Sequence, residues 1–144
     1  MAKVPDRIYI GAEDRVIYKK IDETADLFKK KNNKEQFLFA MAIGFSNNTR
    51  IPLKKKENWF LKKDLKPEDE AILNVVALKA TGDTSVLPDK SEVYKIVEEY
   101  AHAGLKILLD NIESAEFGTY WKQLEKNINK LSKEMSLWEG NHER

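Results

Sequence analysis

Three groups of side chains in this sequence have types and spacings that could do chemistry. The first is a basic run, with Arg50, Lys54, Lys55, Lys56, Lys62 and Lys63 flanking Trp59 and Phe60. Lysines neutralise phosphates and an aromatic ring can stack on a base, so this pattern is one that nucleic-acid surfaces use. It equally describes a loop that Trp59, Phe60 and Leu61 anchor to the core while the lysines stay in water. On the first reading the six basic residues supply charge and Trp59 stacks or anchors. The second group is Glu98-Glu99-Tyr100-Ala101-His102. On a helix Glu98 and His102 share a face, and Glu99 and His102 have the i, i+3 spacing of carboxylate-bridged metal helices. Such a site needs ligands from a second helix, and the one other histidine, His142, lies in the tail. The expectation is a solvent-facing Glu–His pair and no metal site. The third group is not catalytic: Phe117, Trp121, Leu124, Ile128, Leu131, Met135 and Trp138 recur at alternating spacings of four and three. That is a heptad seam for helix association.

Much else is excluded. Without cysteine there is no disulfide framework, thiol nucleophile or cysteine-ligated metal. The six glycines are scattered and form no phosphate-cradling loop. Nothing nominates a catalytic residue or a cofactor, and the acids are too dispersed along the chain to indicate a nuclease centre. No apolar run approaches the ~20 residues of a membrane span, so a soluble, cytoplasmic protein is expected.

The elements that would position these groups read as helices. At 144 residues the chain is expected to be one domain over 1–144. Residues 7–10 alternate weakly, as a short strand or an extended lead-in. Val16, Ile17, Ile21, Ala25 and Phe28 predict an amphipathic helix over 13–31, closed by Asn32-Asn33. Residues 34–43 are apolar on nearly every side, which predicts a buried central helix, with Gly44 as its left-handed cap. Pro52 makes Arg50–Leu53 extended. Pro67 followed by three acids starts a helix that ends at Gly82. A further helix spans 90–110, where Gly104 beside Ala101 and Ala103 implies close approach of a neighbouring backbone. The heptad helix covers 113–139, either folded back on the domain or paired with a copy of itself, and 140–144 is a frayed tail. The fold class expected is all-α or nearly so, a compact five-helix domain.

Charge is segregated along the chain. Arg50–Lys66 holds seven basic residues against two acids, and Pro67–Asp110 four lysines against nine acids, within a net charge of +1. These are either solvated faces or a basic and an acidic docking face.

Three stretches carry a resemblance: FLFAMAIGFSNNTRIPL, AILNVVALKATGDTSVL and VEEYAHAGLKILLDNI. They make the chain similar to the accessory proteins encoded beside bacterial and archaeal DNA phosphorothioation (Dnd) gene clusters, Dnd system-associated protein 4. The likeness covers residues 7–112. Such proteins usually have asparagine then glycine where this chain has His102-Ala103, which argues against His102 as a family ligand. The resemblance implies a defence setting in which self DNA is marked with sulfur and unmarked DNA is restricted. It implies no catalytic residues, so a non-enzymatic accessory protein is expected. Its partners would be duplex DNA or a larger phosphorothioation or restriction subunit, met through the basic face. The alternative is an adaptor or homodimer that uses the heptad helix.

Overall fold

The computed structural model describes residues 5–25, 31–113, 126 and 128–135. Helix dominates, joined by one small sheet. The chain runs β1 (Arg7–Gly11), α1 (Asp14–Ala25), α2 (Asn33–Ser46), β2 (Lys56–Leu61), α3 (Pro67–Thr81) and α4 (Lys90–Glu113). Single 3-10 turns precede α3 and α4, and residues 128–135 are helical.

The mostly helical expectation holds, and β2 is the addition to it. The middle of the basic run, Lys56–Leu61, forms a strand that pairs antiparallel with β1, Gly11 opposite Lys56 and Arg7 opposite Leu61, with an irregularity at Ile8/Tyr9. β1 buries Ile8 and Ile10 on alternate positions, as a strand with one covered face must. From β2, Phe60 meets Phe37 of α2 edge-on, with ring centroids 5.5 Å apart.

At the centre α2 crosses α4. Phe37, Ala40, Met41 and Ile43 of α2 are fully buried, as all-round apolarity requires. Gly44 does not end this helix, which runs on to Ser46. It lies at the crossing, where an added Cβ would strike the backbone carbonyl of Tyr100. The left-handed residue after the helix is Asn48, with φ of 51°. Gly104 faces Gly44 across the contact, and its own Cβ would strike the carbonyl of Ala40. Two opposed glycines thus let two backbones touch, and the expected packing reason for Gly104 is met.

The helix ends follow from local chemistry. Asn32 opens α2 rather than closing α1. Its side chain accepts from the Glu35 N–H at 2.9 Å, and the Glu35 carboxylate reaches back to the Asn32 N–H at 3.4 Å. The stretch expected to extend α1 past Ala25 lies outside the described residues up to Lys31, which is not helical. Pro67 opens α3, whose Asp69 accepts the Lys66 N–H at 2.9 Å, and Gly82 closes it at φ 67°. Asp69 is also held by Lys34 of α2 at 2.8 Å, both side chains largely buried.

Of the heptad seam, Phe117, Trp121, Leu124 and Trp138 lie outside the described residues. Ile128, Leu131 and Met135 line a small cavity of about 210 Å³ with Leu38, Phe39 and Met41 of α2 and Ile72 of α3. Leu131 is buried, and Lys79 of α3 pairs with Glu134 at 2.6 Å. Over these residues the helix is folded back on its own domain.

Candidate functional site

β2 divides the basic residues into two kinds. Arg50 and Lys56 are engaged at the foot of the ribbon. The Arg50 guanidinium lies 3.7 Å from Glu99 and over the ring of Tyr100, and Lys56 lies 3.7 Å from Glu98 and over the ring of Tyr9. Lys54 and Lys55 just before the strand, and Lys63 just after it, are exposed, and Lys62 is half-buried. Among the described residues these four have no carboxylate partner. A strand advances about 3.3 Å per residue, so Lys55 and Lys62 lie roughly 20 Å apart. The basic run is two lysine pairs at the two ends of a ribbon, not one patch.

Trp59 anchors the ribbon. Its ring stacks on Tyr18 of α1 with centroids 4.9 Å apart, and its indole N–H donates to the Asn33 carbonyl at 3.0 Å. The Asn33 amide in turn donates to the Trp59 carbonyl at 3.0 Å, and the Arg15 guanidinium sits 5.3 Å from the ring. The ring edge and N–H are thus committed within the domain. Beside it a cavity of about 640 Å³ is lined by Asn33, Lys34, Trp59, Leu61, Asp64 and Lys66.

The Glu–His pair on α4 is not solvent-facing, and this expectation is corrected. Glu98, Glu99 and His102 are all buried, beneath β1 and the chain that follows α2. Glu98 accepts the N–H of Tyr9 at 2.9 Å, which satisfies an outer-edge donor of β1. Burial pushes its carboxyl up to about 7, against the lowering effect of the Tyr9 hydrogen bond and Lys56. The carbonyl of Glu99 accepts the N–H of Ile51 at 3.1 Å. His102 faces α1: its Nδ1 is 2.5 Å from Asp14 Oδ2, and its Nε2 is 3.4 Å from Glu13 Oε1. A carboxylate only accepts, so the short contact places a proton on Nδ1. Asp14 also accepts the Gly11 N–H at 3.1 Å. A side chain at Gly11 would press into the imidazole, its Cβ 2.8 Å from Cε1. Sequence spacing gave no sign of this cluster, because Asp14 and His102 are separated by 88 positions.

These features define a class: a mostly helical domain whose two-stranded ribbon is strapped to α4 through the buried Glu98, with lysines left over at both ribbon ends. The chain belongs to the DNA sulphur modification system-associated protein 4 family, whose model matches residues 7–137. The match runs beyond the 7–112 core of the resemblance and takes in the folded-back helix. No curated protein and no solved structure matches the chain. Family membership ties the protein to a DNA sulphur modification system. Among the described residues no helix is long and apolar enough to cross a membrane.

Proposed function

We propose that the protein is a non-enzymatic accessory component of a phosphorothioation-linked restriction and antiviral defence system, and that it contacts duplex DNA through the two ends of its ribbon. The observation that carries this reading is the sorting of cations in and around β2. Arg50 and Lys56 have buried acidic partners, whereas Lys54, Lys55, Lys62 and Lys63 have none among the described residues. Unneutralised lysines that flank a strand at both ends suit phosphate contact, because the gain comes from released counterions and needs no base reading. Arg50, Lys56 and Trp59 then hold the ribbon in place rather than touching DNA. The homodimer alternative is weakened where Ile128, Leu131 and Met135 are spent on the domain's own core.

The test is fluorescence anisotropy with a short duplex. Four phosphate contacts predict that affinity falls roughly 100-fold between ~50 and ~200 mM salt. Changing Lys54, Lys55, Lys62 and Lys63 together to glutamate should abolish binding and leave the circular dichroism spectrum unchanged. Full affinity in that variant would remove the ribbon from the interface.

A further inference from the structure

We propose that Glu13, Asp14 and His102 form a binding site for a divalent first-row transition cation, of the zinc or manganese class. The three residues each offer a ligand atom, and these atoms lie within 4.8 Å of one another. Glu13 lies in the turn that joins β1 to α1, Asp14 is the first residue of α1, and His102 stands in the middle of α4. Imidazole nitrogen with carboxylate oxygen is the donor set such ions accept.

The geometry divides the roles. His102 Nε2 and Glu13 Oε1 are 3.4 Å apart, close to the separation of two ligands about a tetrahedral ion with bonds of about 2.1 Å. These two bind the ion directly, and water completes the shell. Asp14 works behind the ring. By accepting from Nδ1–H it fixes the tautomer that leaves Nε2 as the metal-binding nitrogen, the arrangement by which carboxylates orient metal-ligating histidines. A second observation points the same way. Asp14 is 1 % exposed, and its other oxygen, Oδ1, is buried with no hydrogen-bond partner. A buried carboxylate with one oxygen unsatisfied is costly, and a cation across the ring would offset that cost. Gly11 is part of the construction, since any side chain there would push the imidazole out of line.

One group opposes the ion. The Lys106 ammonium lies 3.8 Å from Glu13 Oε1 and must leave when a cation binds. Its side chain is 42 % exposed, so it can swing into water. The site lies at the Lys54–Lys56 end of the ribbon: Gly11 pairs with Lys56, and the Ala12 N–H donates to the Lys55 carbonyl at 2.8 Å. A bound ion would therefore tie α4 to the ribbon end that carries Lys54 and Lys55. The site stands independently of whether those lysines meet DNA.

Isothermal titration of the full-length, chelator-treated protein with Zn²⁺ and with Mn²⁺ tests the site. The expected result is one ion per chain, for at least one of the two, with micromolar-range affinity. Glu13 is more than half exposed, so Glu13→Gln should fold normally, which circular dichroism can verify, and should bind about tenfold more weakly or worse. Lys106→Ala should bind more tightly than wild type, and His142→Ala, which removes the other imidazole, should bind unchanged. The proposal is overturned if wild type takes up neither ion at millimolar concentration, if Glu13→Gln binds as well as wild type, or if His142→Ala abolishes binding.

Discussion

Replacing Gly104 by alanine inserts one methyl group where the backbones of α2 and α4 touch. Its Cβ would sit 2.6 Å from the Gly44 nitrogen and 2.9 Å from the Ala40 carbonyl carbon, with the Ala40 oxygen nearer still. All three are backbone atoms, so no side chain can turn aside, and α2 and α4 must separate by more than ~1 Å. That separation disturbs the core to which both helices contribute, with Phe37, Ala40, Met41 and Ile43 of α2 and Ala101 and Leu105 of α4 all buried in it. The substitution gains about 1 kcal/mol of helix propensity. Overpacking a rigid core costs typically 1–3 kcal/mol and more when backbone is the obstacle. We expect a net loss of about 3 kcal/mol, read as a lower urea midpoint with unchanged slope. Gly82→Ala is the control: it meets no atom within 4 Å and carries only the strain of φ 67°, worth about 1–2 kcal/mol. If Gly104→Ala proved as stable as Gly82→Ala, the two helices would not touch at these glycines.

Two further outcomes are expected. Burial raises Glu98 from 4.5 to about 7, so between those values the folded protein keeps a proton that the unfolded chain has lost. Stability therefore falls as pH rises through that window and levels off above it, by up to about 3 kcal/mol. Glu98→Gln keeps an oxygen for the Tyr9 N–H and removes the titration. It should stabilise the protein by about 1–3 kcal/mol at pH 8 and hardly change it at pH 5, and equal urea-midpoint shifts at both pH values would refute the assignment. Leu131→Ala should cost about 2–4 kcal/mol, the usual loss for a buried leucine, without altering the mass by light scattering. A change of oligomeric state with intact stability would place that helix in an interface instead.

What could be read in the sequence was what depends on neighbours in the chain. The apolar run of α2 could only be buried, Pro67 and Gly82 bracket α3 by backbone rules, and Gly104 had to have a packing reason. β2 escaped because Lys56 and Asn58 stand where a strand usually shows β-branched residues, and its lysines read as a solvated loop. Gly44 misled for a related reason: glycine permits a left-handed cap and a close backbone approach equally, and the choice depends on Gly104, sixty positions away. Glu98 and His102 were placed in solvent because charge usually lies there. Their partners, the Tyr9 amide and Asp14, are brought to them only by the folded β1 and α1. Of the candidate interface, the basic run was visible as composition. Its division into engaged and unengaged cations was not, since that division is a property of what lies beneath β2.

The pairing of β1 with β2 also constrains how the molecule assembles. An ordinary hairpin closes a turn of two residues, but here Gly11 meets Lys56 with α1 and α2 strung between them. Closing a loop of that length instead of a two-residue turn costs roughly 3 kcal/mol more in chain entropy. Pairing of the two strands is favoured once α1 and α2 have shortened the chain between them, and a non-local pairing of this kind is expected to slow folding. Once formed, the ribbon is held by the core, because Ile8, Ile10 and Phe60 carry it there, so its amides are expected to exchange with the core rather than ahead of it.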